Sequence, residues 1–270
     1  MRHGAWLLSL AALLACGTAS AAAPDDLALV DAAIKGGRLV QAQTMLDLLP
    51  GDKPDTFDVA VLRAQLMLAQ GRYADAERAF GTLAATPSQD CRVIAGLGSA
   101  AAALRHTDAA LARLQDATAR CPSDWRTWAD LGHAYDNAAR WNDSKAAYER
   151  ASAMGGPRAS LLNDMAVSML MQHRYPEAKA LLLQALAADP DDPRLANNLD
   201  IAAASMGEAP VRGRGDDPAR WAERLSNAGY AASLAGRTDD ARAWLTQSIA
   251  AAPVYPAKTV SILSSLGAQK

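Results

Sequence analysis

The sequence contains few aromatic residues and almost no net charge. Phe occurs twice in 270 residues, and Phe, Trp and Tyr together make up 5% of the chain. β-Branched residues are also sparse, whereas Ala dominates, which favours helix because Ala loses no side-chain entropy on becoming helical. The formal net charge of −2 gives no electrostatic case for nucleic acid as a partner.

The sequence also lacks the motifs that carry catalysis or metal binding. Its histidines show no metal-ligand spacing such as H-E-x-x-H; they are His3, His106, His133 and His173. We find no Walker loop, no G-x-S-x-G elbow and no paired-carboxylate motif. The segment Gly96-Leu-Gly98-Ser99 resembles part of a phosphate loop, but it lacks the preceding strand and the Lys. We therefore expect a non-enzymatic protein without a cofactor or a bound metal.

The apolar run near the N-terminus is too short to span a bilayer. The apolar segment from Ala5 to Ala15 suits the core of a signal peptide over residues 1–21. Two processing sites remain open. The segment ending at Cys16 resembles a bacterial lipobox, which would make Cys16 a lipidated N-terminus, whereas Ala19-Ser20-Ala21 is a small-x-small site for ordinary signal peptidase. Lipidation would place the protein at the outer membrane, held only by this anchor.

A repeat of 34 residues dominates the rest of the chain. Two successive copies, from residue 125 and from residue 159, carry matching large, small and aromatic positions: Trp128, Leu131, Gly132, Tyr135 and Tyr148, then Leu162, Met165, Ala166, Met169 and Leu182. Steps of 34 residues place further starts at 23, 57, 91 and 193. Such self-similarity is typical of a helical solenoid. Each unit predicts a first helix of about 13 residues, a turn and a second, antiparallel helix.

Small residues and turn residues recur at fixed places in each unit. We expect the small residues to let the two helices of a unit approach closely; they are Gly98, Gly132 and Ala166. At the turn, Gly71 suits the left-handed conformation that ends a helix. The corresponding Ala139 and His173 adopt it less readily.

The repeat fails once, after residue 207. The unit that starts at 193 has a first helix, but Glu208 to Gly215 is polar and glycine-rich and predicts a linker over 208–220. Asp217 and Pro218 suit the start of a new helix, and the phase of the repeat returns over 221–270, ending in a capping helix. We therefore expect an array over 23–207, a bend or flexible joint, and a C-terminal unit.

Cys91 and Cys121 open and close one predicted unit. The first and last residues of a helical hairpin lie at the same end, so their Cα atoms can come within the limit of about 7 Å for a disulfide. Export would place both thiols in an oxidising compartment. A disulfide and a pair of buried thiols both remain open, and no partner base for a catalytic thiol is identifiable.

The repeat pattern resembles the tetratricopeptide repeat (TPR), which implies an all-α solenoid wound into a right-handed superhelix. In TPR arrays the first helix of each unit lines a concave face. The resemblance implies these partner-groove candidates: Gln65, Arg92, Ser99, Arg126, His133, Asp136, Asn137, Asn163, Val167 and Met171. They lack the Lys/Arg/Asn set that clamps a C-terminal carboxylate. Their mixed character suits an extended or helical peptide, and the alternative for each is plain solvent exposure.

The lipobox, the alanine-rich units and the closing segment from Leu225 to Tyr255 resemble the TadD lipoproteins of tight-adherence (Tad, or Flp) pilus assembly. The resemblance implies a pilotin-like role with an outer-membrane secretin as partner, in a Tad pilus or a type II-like secretion system. Two other functions remain open. One is a periplasmic scaffold or co-chaperone in outer-membrane or cell-wall assembly, and the other is a non-catalytic regulatory subunit of an enzyme.

Overall fold

The computed structural model describes residues 24–49, 56–85, 90–155 and 158–267. The predicted signal segment 1–21 and Cys16 lie outside these residues. The described residues form α-helices and no strand, so the predicted all-α class is confirmed. The helices are α1 (Pro24–Lys35), α2 (Leu39–Asp47), α3 (Phe57–Ala69), α4 (Tyr73–Ala84), α5 (Cys91–Ala103), α6 (Thr107–Arg120), α7 (Trp125–Asn137), α8 (Trp141–Gly155), α9 (Ala159–Met171), α10 (Tyr175–Ala188), α11 (Pro193–Ser205), α12 (Pro218–Leu234), α13 (Thr238–Ala251) and α14 (Ala257–Gly267).

The helices begin where the repeat predicts. Five of the predicted starts, at residues 57, 91, 125, 159 and 193, are the first residues of α3, α5, α7, α9 and α11. Most of these starts share one physical cause, an N-cap side chain that accepts a hydrogen bond from a backbone N–H in the first turn. The capping residues are Thr56, Asp90, Asp124 and Asp192.

A left-handed residue ends the first helix at every turn of the repeat. Four of these positions are glycine, with φ between 71° and 88°, but Arg105, Ala139 and His173 also have positive φ, at 65°, 54° and 58°. At Ala139 the turn is closed by backbone bonds from Ala139 N to Asp136 O (2.9 Å) and from Arg140 N to Tyr135 O (2.9 Å). The geometry of the unit therefore overrides the glycine preference at three turns.

The chain divides into two units, residues 1–86 and 87–270. In the first unit, α1, α2 and α3 contact one another and α4 packs on α3. One core cluster joins α1, α2 and α3 through buried Val30, Leu46 and Leu62. This arrangement is the helical-hairpin packing that the repeat predicts.

In the second unit, close approach of paired helices depends on small residues. A Cβ added at Gly132 would lie 2.8 Å from the ring of Tyr148, and one added at Gly98 would lie 2.6 Å from Cγ of Leu114. A Cβ added at Gly229 would lie 2.7 Å from Cγ of Leu245. The packing role that the sequence predicts for Gly98 and Gly132 is confirmed.

The unit that starts at residue 193 has no second helix. Residues 208–217 follow α11 without regular secondary structure, and α12 packs directly against α11. Helix α12 begins at Pro218, because the side chain of Asp217 accepts a hydrogen bond from the backbone N–H of Arg220 at 2.8 Å. The linker predicted to reach residue 220 therefore ends three residues earlier.

Candidate protein-binding groove

The first helices of the second unit form a continuous row. Helix α5 contacts α7, α7 contacts α9, α9 contacts α11, α11 contacts α12, and α12 contacts α14. The candidate groove is the face of this row that carries the predicted partner residues. Gln65 lies on α3, in the first unit, and is half-buried.

The predicted groove residues of the second unit differ in accessibility. Arg92, His133 and Met171 are exposed. Five others are half-buried: Ser99, Arg126, Asn137, Asn163 and Val167. Several of these half-buried side chains also connect neighbouring repeats, so the groove is lined by groups that are partly engaged in structure.

Asp136 is not accessible from the groove. Its side chain is 2% exposed, and its carboxylate accepts hydrogen bonds from the Tyr148 hydroxyl at 3.0 Å and the Ser168 hydroxyl at 2.7 Å. These bonds tie α7 to α8 and α9. Burial, followed by the charge of Asp136, raises the pKa of Tyr148, which keeps that hydroxyl protonated as a donor. Asp136 therefore has a structural role in place of the predicted partner contact.

Two pairs of asparagine side chains bridge adjacent first helices. Asn198 Nδ2 on α11 donates to Asn163 Oδ1 on α9 at 2.8 Å, and Asn227 Nδ2 on α12 donates to Asn197 Oδ1 on α11 at 2.8 Å. A side-chain amide has two donor hydrogens and an acceptor oxygen with two lone pairs. Each pair therefore keeps donor and acceptor capacity that the bridging bond does not use. Of these residues, the sequence analysis singled out only Asn163. Residues at the same position of successive units form a repeat column; Asn197 shares the column of Asn163, and Asn198 and Asn227 share the next column.

Two carboxylates, on α7 and α9, occupy the repeat position that Asn198 and Asn227 hold on α11 and α12. Asp130 on α7 accepts a hydrogen bond from the Ser99 hydroxyl on α5. Burial raises the pKa of Asp130 to about 6 and that of Asp164 on α9 to about 7. The negative charge of Asp130 is a further cause of the raised pKa of Asp164.

The arginines near these carboxylates are engaged elsewhere. The guanidinium of Arg126 lies over the ring of Trp125, 4.4 Å from its centroid. Arg194 donates to both carboxylate oxygens of Asp192, at 3.1 and 3.2 Å from Nε and at 2.7 Å from Nη2. The groove therefore contains two carboxyl groups that can take up a proton near neutral pH, Asp130 and Asp164, next to the amide pairs.

A second strip of the row is more apolar. By repeat position, Val167 on α9 and Ile201 on α11 correspond to Tyr230 on α12, and Met171 corresponds to Leu234. Tyr230 is 48% exposed and Leu234 is 72% exposed. The α9–α12 part of the row therefore places apolar surface beside the amides, a combination that suits a peptide with both backbone and side-chain contacts.

Cys91 and Cys121 are joined by a disulfide in the structure, with their Cα atoms 6.2 Å apart. The bond ties the first residue of α5 to the residue that follows α6. It therefore closes the α5–α6 hairpin at the end opposite its turn. This is the arrangement that one of the two sequence hypotheses required.

Neither a metal site nor a membrane span has a candidate within the described parts of the chain. No three His, Cys, Asp or Glu side chains among those residues come together as a metal site. Over the same ranges, every helix is too short or too polar to cross a membrane.

Several solved structures share this fold. One chain of the APC/C hetero-tetramer Cut9–Hcn1 matches 93% of this protein with a TM-score of 0.65 and 14% identity. TTC0263, a thermophilic TPR protein of Thermus thermophilus, matches 79% with a TM-score of 0.54 and 19% identity, over 100% of its own chain. A TPR protein of Parabacteroides merdae matches 90% with a TM-score of 0.54 and 12% identity, over 98% of its chain.

This protein spans 50% of the length of the Cut9–Hcn1 chain that it matches. No protein-family model and no curated protein matches the sequence. At these identities the likeness establishes the TPR fold and nothing beyond it. The TPR resemblance of the repeat is therefore confirmed at the level of fold.

Proposed function

We propose that this protein is a non-enzymatic scaffold that holds a segment of another protein along the first-helix row of its second unit. The observation that carries the proposal is the repeated amide bridge, Asn163–Asn198 and Asn197–Asn227, at 2.8 Å in both cases. An extended peptide presents one N–H and one C=O per residue. Side-chain amides can satisfy both groups, so such a row can hold a backbone with little dependence on its sequence.

The fold supports this function by analogy. A chain of the Cut9–Hcn1 hetero-tetramer has the same fold, so the fold occurs in an assembly of several protein chains. Peptide binding along a groove also needs no catalytic residue, which agrees with a sequence that offers no motif for catalysis. A fold-level analogy of this kind raises the expectation of protein binding and identifies no partner.

We further propose that the protein works in the bacterial envelope, as a TadD-like pilotin or assembly factor. Support comes from the predicted signal segment, from the lipobox ending at Cys16 and from the closing segment of the sequence. In this proposal the lipid anchor gives location at the outer membrane, and the groove captures a segment of a secretin. The rival function, a periplasmic scaffold or co-chaperone, shares the groove and differs in the partner.

Partner capture tests the groove. The triple variant N163A/N197A/N227A would be compared with wild type for co-purification of the secretin encoded in the same genome, with Q184A, exposed on the second helix α10, as control. We expect the triple variant to lose most of the secretin and the control to retain it. Equal recovery from all three proteins would exclude this groove as the secretin site.

The location and the pathway need separate experiments. We expect Cys16→Ser to release the protein from the membrane fraction, since the acyl chains are the proposed anchor. Membrane association that persists in this variant would remove the anchor. Deletion of the gene should reduce secretin multimers on a blot. Normal multimers with normal pili would exclude the pilotin role and favour the rival scaffold.

A further inference from the structure

The second unit contains a cleft of about 380 Å³ at the C-terminal end of the first-helix row. Its walls come from α12, from the end of α13, from the segment that follows α13, and from the start of α14. On α12 the lining residues Glu223, Ser226 and Asn227 occupy the repeat positions that Arg126, Ala129 and Asp130 occupy on α7. Asn227 also forms the second amide bridge, so the cleft continues the groove.

The polar side chains that line the interior of the cleft already have partners. The hydroxyls of Ser226 and Thr259 bond to each other at 2.8 Å, and the hydroxyl of Ser248 donates to the carbonyl of Ala222 at 2.7 Å. Apart from Asn227 and two charged residues, the rest of the lining is formed by alanine, proline and valine side chains. Apart from the half-buried amide of Asn227, such a surface leaves no hydrogen-bonding group for a polar ligand to satisfy, and it therefore favours an apolar occupant.

The size of the cleft limits what the occupant can be. Ligand pockets span roughly 300–1,000 Å³, so this cleft lies near the small end of the range. It can hold one bulky side chain of a chain segment that lies in the groove. Trp and Tyr are the residue types that most often anchor protein interfaces in pockets of this kind.

Two opposite charges flank the apolar walls. Glu223 on α12 and Lys258 on α14 are the charged residues of the lining, and both are exposed. Within the described residues neither takes part in an ion pair. Charges arranged in this way are complementary to a partner with a cation on the Glu223 side and an anion on the Lys258 side.

We propose that the C-terminal cleft binds a single aromatic side chain of the partner segment, between a basic and an acidic residue of that segment. The inference rests on the proposed groove function and adds the chemistry of the segment. The aromatic ring supplies burial against the alanine, proline and valine walls, and the flanking charges select the segment. The rim charges should act mainly on specificity, because exposed charge pairs contribute little affinity.

Fluorescence anisotropy with four labelled peptides tests the proposal. All are glycine–serine peptides of equal length with a three-residue centre: Lys-Trp-Asp, Lys-Gly-Asp, Lys-Trp-Lys and Asp-Trp-Asp. Wild type should bind Lys-Trp-Asp best and at least tenfold more tightly than Lys-Gly-Asp. E223K should prefer Asp-Trp-Asp and K258E should prefer Lys-Trp-Lys. The proposal would be overturned if wild type bound Lys-Trp-Asp and Lys-Gly-Asp equally, or if both charge variants kept the wild-type order of peptide affinities.

A blocked cleft separates this inference from the proposed function. A219W places an indole at an exposed lining position, and A187W on α10 is the matched control at another exposed alanine. We expect A219W to weaken binding of the Lys-Trp-Asp peptide at least tenfold and A187W to leave it unchanged. If A219W still binds that peptide as wild type does, the cleft is not the anchor site. The groove proposal is then tested separately by the triple asparagine variant.

Discussion

The guanidinium of Arg224 on α12 donates to the carboxylate of Asp200 on α11, with Nε 2.6 Å from Oδ2. The same guanidinium also contacts Asp216 and, at 3.1 Å, the carbonyl of Val211. Arg224 is 8% exposed and Asp200 is 5% exposed. One arginine thus joins α11, α12 and the segment between them, where the other units have a second helix.

We predict that Asp200→Ala will destabilise the protein by about 2–3 kcal/mol, because it removes one of the two carboxylates that pair with the buried guanidinium and leaves Asp216 as the other. Urea unfolding followed by circular dichroism measures the change. The control is Asp240→Ala, which breaks the surface pair between Arg237 and Asp240 and should cost less than about 1 kcal/mol. A loss at Asp200 as small as the control would show that the pair does not hold the segment.

Ala139 offers a stabilising substitution. It ends α7 with φ of 54°, a conformation that costs a non-glycine residue roughly 1–2 kcal/mol. Ala139→Gly removes this strain and loses part of the gain to backbone entropy, so we expect a net stabilisation of about 0.5–1 kcal/mol. Thermal and urea unfolding would measure it.

The reverse change provides the control for Ala139. Gly236 has φ of 75°, and an added Cβ there would meet nothing within 4 Å. Gly236→Ala therefore isolates the backbone strain and should destabilise by about 1 kcal/mol. If Ala139→Gly is neutral while Gly236→Ala is costly, the turn at Ala139 is not strained in solution.

The sequence predicted the helix boundaries well because they depend on local chemistry. Thr56, Asp90, Asp124 and Asp192 cap helices through their own backbone neighbours, and the apolar positions repeat with them. Asp136 was predicted wrongly as a groove residue, because its contacts are not local. Its direction is decided by hydroxyls on two other helices, at Tyr148 and Ser168, which repeat offsets do not reveal.

The Asp200–Arg224 pair left a signal in the sequence that could have been used. Asp200 falls in the repeat column of Gly98, Gly132 and Ala166, and Arg224 falls in the column of Leu161 and Leu195. Both positions are held by buried small or apolar residues in other units. An acidic residue at one and a basic residue at the other, on either side of a missing helix, indicates a buried ion pair. The contact with Asp216 was not predictable, because it depends on the path of an irregular segment.

The raised pKa values of Asp130 and Asp164 predict how stability changes with pH. Their folded pKa values of about 6 and about 7 exceed the unfolded value of about 3.9. The folded state therefore binds more protons between about pH 4 and pH 7, and the free energy of unfolding should fall as pH rises through this range. Above about pH 7 this contribution should level off.

Asp164→Asn tests the assignment, and it places at residue 164 the amide that Asn198 and Asn227 supply in the same column. We expect the variant to be more stable than wild type at pH 8, by on the order of 1–2 kcal/mol, and close to wild type at pH 4.5. Asp239→Asn, exposed on α13, is the control. An unchanged pH slope in Asp164→Asn would mean that Asp164 is ionised throughout the range.

The disulfide between Cys91 and Cys121 should form in an oxidising compartment and stabilise the α5–α6 hairpin. The bond spans a sequence separation of 30 residues, and a loop of this size predicts a contribution of about 3–4 kcal/mol. The double variant C91S/C121S should lose this amount in urea unfolding, and dithiothreitol should weaken wild type to the same level without affecting the variant. Alkylation of the urea-unfolded protein without reductant, read by mass spectrometry, should label neither Cys91 nor Cys121. Labelling of both would mean that the cysteines are buried thiols, and dithiothreitol should then change nothing.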